Sequence, residues 1–143
     1  MKVEIFTDGS CQGNPGPGGW ASILKYGDRE KTICGYHPAT TNNRMELTAV
    51  IEALKTLKTN KHKVVVHSDS QYVIKGMLDW HYGWIKKEFS GIKNSLLWKA
   101  LIILNKQFVI EWHWVKGHAG NKYNEEVDAI ARRQVSKNER KKN

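Results

Sequence analysis

The order of strand-like and helix-like patterns most constrains the fold of this chain. Strand-like stretches alternate apolar with polar residues or form short β-branched runs, whereas helical stretches repeat apolar residues at three- and four-residue spacing. Strand patterns cover residues 3–8, 20–26, 31–36, 63–67 and 108–115, and helical patterns cover residues 44–58, 71–79, 96–105 and 124–137. Tight links join the early strands and helices join the later ones, which predicts an α/β fold with a mixed sheet and helices on its faces.

The connecting segments and the length indicate one domain. A glycine-rich segment, residues 9–19, follows the first strand and is predicted to be a loop, and the short Gly27–Asp28 link predicts a hairpin. The 143 residues are the size of one ordinary domain. We therefore predict one catalytic domain over residues 1–136 and a basic, disordered tail over residues 137–143.

The charge balance points to a polyanionic partner and the other bulk features to an intracellular protein. The formal net charge is +9, from 23 Lys and Arg against 14 Asp and Glu, and a basic surface binds phosphates with release of counterions. Cys11 and Cys34 show neither metal-ligand spacing nor a disulfide framework. The most apolar stretch, residues 96–104, is too short to span a bilayer. We expect a soluble, cytoplasmic protein.

Four acidic residues stand where a mixed sheet could bring them together. Asp8 and Asp69 end two strands that could be neighbours, while Glu46 and Asp128 lie beside the apolar faces of two helices. Each alone is explained as a turn, cap or helix-dipole residue. Converging unpaired carboxylates would raise one another's pKa values, and a hard divalent cation such as Mg²⁺ or Mn²⁺ would remove that penalty. Whether they converge depends on the fold.

Five segments then resemble a known family, bacterial type 1 ribonuclease H, in its order and close to its spacing. They include Thr-Asp-Gly-Ser, Asn-Asn-Arg-Met-Glu, Ser-Asp-Ser and Gly-His-Ala-Gly motifs. The matching segments are residues 5–11, 13–19, 40–47, 68–73 and 114–120. The likeness extends from Val3 to about Arg133, which is nearly the whole chain. It implies a ribonuclease H-like fold, with a five-stranded mixed sheet and helices on both faces.

The resemblance also implies an activity and a cofactor. Members of the family are endonucleases that hydrolyse the RNA strand of RNA–DNA hybrids with two Mg²⁺ ions, leaving 5′-phosphate and 3′-hydroxyl ends. By this likeness Asp8, Glu46, Asp69 and Asp128 would be catalytic residues that bind the metal ions, and Mn²⁺ could replace Mg²⁺. His118 would assist proton transfer or product release. A monomer is expected.

Further positions match residues that contact the hybrid in this family. The residues so implied are Cys11, Gly13, Asn14, Thr41, Asn42, Asn43, Arg44, Gln71, Trp80, Trp84, Lys86 and Lys87. The segment of residues 80–93 corresponds to the family's basic protrusion, which grips the DNA strand, but it is shorter and less basic here. We therefore expect this departure to affect hybrid affinity before it affects catalysis.

The tryptophans allow two interpretations. Trp80 and Trp84 are four residues apart, so they could stack on nucleotides or pack a helix into the core, and the sequence favours neither. Trp112 and Trp114 share one face of the last strand, and we expect that pair to belong to the core.

Two other functions use the same chemistry. An integrase or Holliday-junction resolvase would share the fold and the acidic cluster, but those groups lack the Asn42–Asn43 and 117–120 motifs found here. A non-catalytic hybrid-binding module is a different class, and retention of all four acids argues against it.

Overall fold

The computed structural model describes residues 1–117 and 121–140, and a five-stranded mixed sheet forms the centre of that part of the chain. The strands are β1 (Lys2–Cys11), β2 (Gly16–Tyr26), β3 (Arg29–Thr40), β4 (Lys63–Ser68) and β5 (Ile110–Trp114). They lie in the order β3-β2-β1-β4-β5. The pairs β1–β2 and β2–β3 are antiparallel, and β1–β4 and β4–β5 are parallel. The predicted α/β mixed sheet and the Gly27–Asp28 hairpin are confirmed.

Five α-helices lie in the described residues, and the first two begin at polar caps that the sequence supplies. They are α1 (Asn42–Lys55), α2 (Gln71–Lys75), α3 (His81–Lys86), α4 (Ser95–Gln107) and α5 (Lys122–Arg140). Thr41 Oγ1 accepts the Arg44 backbone N–H at 3.2 Å to cap α1, and Ser70 Oγ accepts the Val73 N–H at 3.2 Å to cap α2. The carboxyl end of β4 therefore turns directly into α2.

Two apolar cores lie on opposite faces of the sheet. Helices α1 and α4 cover one face, where the buried residues include Ile5, Leu47, Leu54, Val66, Trp98 and Leu101. Helix α5 covers the other face over β1 and β2, and its core contains Phe6, Ala21, Ile23, Val127 and Ala131. Helix α5 approaches β2 closely at Gly19, where a Cβ would lie 2.3 Å from the Ala131 carbonyl oxygen. This contact fixes α5 against the strands that carry the site described below.

The prediction of a loop over residues 9–19 was wrong for most of that segment. Strand β1 continues through Cys11 and β2 begins at Gly16, with Gly9 paired to Trp20 and Cys11 to Gly18. Glycines weaken a strand in isolation, but here the ladder and close packing against neighbouring elements hold them extended. Only residues 12–15 turn the chain.

The helix predicted over residues 71–79 is longer and interrupted. A π-helical segment, Gly76–Trp80, joins α2 to α3, so the helical path continues to Lys86. The buried Trp98 ring lies against Gly76, where a Cβ would be 2.1 Å from Trp98 Cη2. A π-helical turn adds one residue to a helix, and here it coincides with that close contact.

The C-terminal helix also extends further than predicted. Helix α5 runs to Arg140, so residues 137–140 are helical, although we expected them to form part of a disordered tail. The Tyr36 hydroxyl on β3 donates to the Glu139 carboxylate and ties this last turn to the sheet. Residues 141–143 of the predicted tail lie outside the described residues. None of the helices described is long and apolar enough to cross a membrane.

Candidate active site

Three of the four predicted carboxylates meet at one edge of the sheet. Strands β1 and β4 are parallel neighbours, with Thr7 paired to Ser68, so Asp8, still paired to Ala21 on β2, lies beside Asp69, the first residue after β4. Glu46, in the first turns of α1, points to the same place. One carboxylate oxygen from each of these acids lies within 4.8 Å of one from each of the others.

Gly9 explains why Glu46 comes so close to the strand. A Cβ on Gly9 would lie 2.4 Å from the Glu46 backbone nitrogen, so only glycine lets α1 approach β1 at this point. The Gly9 backbone N–H also donates to the Glu46 carboxylate. The Asp8–Gly9 pair thus places two acids in the site. Asp8 is the first residue of the pair, and the missing side chain of Gly9 lets Glu46 approach the strand.

Asp128 reaches the same site from α5 but is held differently. It lines the cleft formed by the other acids and is close enough to Asp8 to raise the pKa of that carboxyl group. Its Oδ2 atom is also 2.9 Å from Arg132 Nη2, one helical turn further along. We did not predict a role for Arg132, although the i, i+4 spacing of an acid and an arginine was a signal for this ion pair.

The cleft is a strongly acidic concavity of about 470 Å³, here called the carboxylate cleft. Its residues are Asp8, Gly9, Ser10, Cys11, Asn42, Asn43, Glu46, Asp69, Ser70, Gln71, Tyr72 and Asp128. The pKa of Asp8 is raised to about 8, first by burial and then by the charge of Asp69. Burial and then the charge of Asp8 raise the pKa of Glu46 well above its ordinary value.

The residues present fit a hard divalent cation. Glu46 is 5% exposed, and within the part of the chain that the structure describes no hydrogen-bond donor reaches its Oε1 atom. A buried carboxylate oxygen without a donor is costly unless a cation or a proton satisfies it. The converging ligand atoms are all carboxylate oxygens, which suit Mg²⁺ or Mn²⁺ better than zinc or copper.

The predicted hybrid-binding residues divide into those that line the carboxylate cleft and those that support it. Cys11, Asn42, Asn43 and Gln71 line it. Asn14 lies in the 12–15 turn, where its Oδ1 accepts the Asn42 backbone N–H at 2.9 Å. Gly13, in the same turn, has a positive φ of 61° and does not line the cleft.

A hydrogen-bonded chain connects α1 to the opposite side of the carboxylate cleft. Arg44 Nε donates to Asn94 Oδ1 at 3.0 Å, and Asn94 Nδ2 donates to the Tyr72 hydroxyl at 3.1 Å. The Trp98 indole N–H donates to the same hydroxyl at 2.8 Å. Sequence reasoning missed Tyr72, and also Ser10 and Ser70, because none of the three carries a charge or a metal-ligand pattern.

The two tryptophans at the start of residues 80–93 have different surroundings. Trp80 is 40% exposed, whereas Trp84 packs against the buried Trp98 ring with centroids 4.8 Å apart. Lys86 and Lys87 are exposed at the end of α3. These four residues are not among those that line the carboxylate cleft, so any contact with substrate would be made away from the acids.

The prediction for the β5 tryptophans was half wrong. Trp112 is 8% exposed and belongs to the core, but Trp114, the last residue of β5, is 47% exposed. The Trp114 indole N–H instead donates to the Asp69 backbone carbonyl at 3.2 Å. His118 lies outside the described residues. Gly117 is described, and a Cβ there would lie 3.3 Å from Asp69 Oδ2.

Comparisons with known proteins give matches over most of the chain. The family model for RNase H matches residues 1–136. The Ribonuclease H of Phenylobacterium zucineum (strain HLK1) is 51% identical over 140 residues, which cover 94% of this chain and 91% of the relative. The Ribonuclease HI of Caulobacter vibrioides is 53% identical over 136 residues, which cover 91% and 90% of the two chains.

Solved structures show the same fold. LC9-RNase H1, a type 1 RNase H with the type 2 active-site motif, superposes with a TM-score of 0.85 at 34% identity, covering 94% of this chain and 72% of that one. LC11-RNase H1 in complex with RNA/DNA hybrid has a TM-score of 0.74 over 95% of this chain and 98% of that one. Its identity is 22%, so this second likeness bears on the fold alone.

Proposed function

This chain belongs to the ribonuclease H family and is an enzyme of that family, and we propose that it is an endonuclease that hydrolyses the RNA strand of RNA–DNA hybrids. The observation that carries the proposal is the convergence of three carboxylates within 4.8 Å, with a buried Glu46 oxygen that no described donor satisfies. The acids of an integrase-like relative would also converge. The 51–53% identity to ribonucleases H favours the hybrid as substrate.

Asp8, Glu46, Asp69 and Asp128 would hold two divalent cations, Mg²⁺ in the first instance and Mn²⁺ as a substitute. When bound, such cations favour deprotonation of the attacking water and stabilise the negative charge on the leaving 3′ oxygen. Asp8 is the bridging candidate, because it lies on a paired strand between the other acids and is 4% exposed. Asp128 is the most adjustable, because its side chain is 24% exposed and shared with Arg132.

The remaining residues of the carboxylate cleft would recognise the RNA strand. Its rim carries the amides of Asn42, Asn43 and Gln71, which can donate to and accept from sugar and base edges in the minor groove. Glu46 can accept a hydrogen bond from a ribose 2′-hydroxyl, the group that distinguishes RNA from DNA. His118 would move a proton to the leaving oxygen or assist product release. Products would carry 5′-phosphate and 3′-hydroxyl ends.

A cleavage assay tests this proposal. An end-labelled RNA–DNA hybrid, duplex DNA and duplex RNA of the same sequence are incubated with the protein in Mg²⁺ and in EDTA. We expect Mg²⁺-dependent cutting of the RNA strand of the hybrid alone, with 5′-phosphate ends identified by phosphatase and ligase sensitivity. Equal cutting of duplex DNA, or hybrid binding without cutting, would overturn the proposal in favour of the two rival functions.

His118→Ala tests the proton-transfer role separately. Because general acid–base catalysis contributes about 10²–10⁴-fold, we expect kcat to fall by about that factor while the hybrid KM changes little. An unchanged kcat would make His118 a surface residue.

The proposal also includes a monomeric protein in the cytoplasm. Size-exclusion chromatography with light scattering measures the oligomeric state.

A further inference from the structure

The corner at which β4 turns into α2 sets the position of Asp69. Hydrogen bonds fix the residues on either side: the Ser68 carbonyl accepts the Val115 backbone N–H at 2.8 Å, and Ser68 Oγ accepts the Ser70 N–H at 3.0 Å. Ser70 in turn caps α2 through Val73. Asp69 is the single residue between the last paired residue of β4 and this cap.

Trp114 reaches this corner from the neighbouring strand. It is paired with Ser68 at the end of the β4–β5 ladder, and its indole N–H donates to the Asp69 backbone carbonyl at 3.2 Å. The ring lies beside α2, where together with Gln71, Ile74 and Lys75 it lines a shallow depression of about 220 Å³. Trp114 is 47% exposed, so the burial of its apolar surface stabilises the fold less than that of a core tryptophan does.

We propose that Trp114 is a positioning residue for Asp69, and the proposal rests on the cation-binding role proposed above for that acid. Of the three converging acids, Asp69 alone is partly exposed. Asp8 is buried within a strand that has a neighbouring strand on each side, and Glu46 is buried where α1 packs against β1. A hydrogen bond to its own peptide unit fixes the backbone from which the carboxylate extends. Small displacements of a ligand weaken cation binding, so this bond contributes to affinity and rate.

The pair of tryptophans on β5 supplies a matched test. Trp114→Phe keeps an aromatic ring and removes the N–H donor to Asp69. Trp112→Phe is the same change two residues away, and it removes a bond of the same length, 3.2 Å, from the Trp112 indole to Asn105 Oδ1. Trp112 is in the core and remote from the acids, so its substitution should lower stability and leave cation binding unchanged.

The readouts are Mg²⁺ affinity of the substrate-free protein by calorimetry, steady-state kinetics on the hybrid, and thermal unfolding. For Trp114→Phe we expect Mg²⁺ affinity and kcat to fall roughly three- to tenfold, the effect of one hydrogen bond, with the hybrid KM close to wild type and the unfolding midpoint lowered by no more than the loss of one hydrogen bond explains. For Trp112→Phe we expect a lower midpoint with wild-type Mg²⁺ affinity.

Wild-type Mg²⁺ affinity and kcat in Trp114→Phe would overturn the inference, as would an equal loss of Mg²⁺ affinity in both variants. Asp69→Asn separates this failure from failure of the proposed function. If Asp69→Asn loses Mg²⁺ binding while Trp114→Phe retains it, the site stands and Trp114 has no positioning role. If Asp69→Asn still binds Mg²⁺ as the wild type does, the proposed function itself fails.

Discussion

Asp8 and Glu46 lie in surroundings that oppose their ionisation, and this conflict determines how the cation-free protein behaves. Both are buried, at 4% and 5% exposure. Beyond burial, the charges of Asp69 and Asp128 raise the pKa of Asp8, and the charges of Asp8 and Asp69 raise the pKa of Glu46. Bound cations would convert the same arrangement from repulsive to attractive. Function and stability therefore make opposite demands on these residues when no cation is bound.

Asp8→Asn should separate these demands. The amide keeps the shape of the side chain but carries no charge, so we expect turnover to fall to background and the cation-free protein at pH 8 to become more stable by about 1–3 kcal/mol. Urea unfolding in EDTA measures the stability, and hybrid cleavage measures the activity. Glu4→Gln on the same strand is the control, because it makes the same carboxylate-to-amide change outside the carboxylate cleft. Retained turnover would refute the bridging role, and a loss of stability would refute the account of repulsion.

The pH dependence of stability follows from the same pKa change. Asp8 has a pKa raised from an ordinary 3.8 to about 8 in the folded protein, so between these values the folded state holds a proton that the unfolded state has released. The stability of the cation-free protein should therefore fall as pH rises from about 4 to about 8 and then level off. Urea unfolding in EDTA at pH 5, 6.5 and 8 tests this, and Asp8→Asn should flatten the decline. A wild type that gains stability over this interval would contradict it.

At the scale of secondary structure, the elements with internal periodicity were the ones that the sequence could predict. The apolar face of α1 follows from the spacing of Leu47, Val50 and Leu54, and the β-branched run identifies β4. The extension of β1 and β2 through the glycine-rich segment was not predictable in this way. It depends on partners such as Met45 and Glu46, which follow Gly9 by 36 and 37 residues in the chain.

The same reasoning explains which parts of the site the sequence could predict. Asp8, Glu46 and Asp69 stand in short motifs, so their placement followed once the strand order was known. The contact of Trp98 with Gly76 and the bond from Trp114 to Asp69 join residues that are 22 and 45 positions apart. Contacts of that kind depend on tertiary packing, and no local pattern encodes them.

Gly9 gives a direct test of how β1 and α1 are joined. A methyl group in Gly9→Ala would lie 2.4 Å from the Glu46 nitrogen and 2.5 Å from the Met45 carbonyl carbon, so α1 must move away from β1. We expect a loss of about 2–4 kcal/mol of unfolding free energy, as for other overpacked core positions, together with loss of activity.

Gly83→Ala is the matched control for Gly9→Ala. A Cβ there meets no atom within 4 Å, and Gly83 lies inside α3, so alanine should be neutral or should stabilise the protein by about 0.5–1 kcal/mol. Chemical denaturation of both variants gives the comparison. Equal effects of the two substitutions would show that the close approach of α1 to β1 at Gly9 is not needed.

At the scale of the whole molecule, the charges act in opposite directions at long and short range. The chain carries a net charge of +9, yet the carboxylate cleft concentrates four acids. A polyanion is attracted from a distance by the net charge and repelled on arrival unless cations neutralise the cleft. Substrate binding should therefore depend on monovalent salt and on divalent cation by separate mechanisms.

The salt dependence of hybrid affinity tests the attraction by net charge and the part played in it by the lysines of residues 80–93. Each lysine that contacts a phosphate contributes about one unit to the slope of log affinity against log salt concentration. Lys86 and Lys87 are exposed at the end of α3, so the Lys86→Ala, Lys87→Ala double variant should lower the slope by between about one and two units.

Lys55→Ala is the control for the double variant. Lys55 is the last residue of α1, at the opposite end of the helix from Asn42 and Asn43 of the carboxylate cleft, and it pairs with Glu52. Hybrid affinity of catalytically inactive Asp8→Asn protein, titrated by fluorescence anisotropy across a salt series, measures the slope. An unchanged slope in the double variant would mean that these lysines are solvated surface charges. The phosphate contacts of this enzyme would then have to lie closer to the carboxylate cleft.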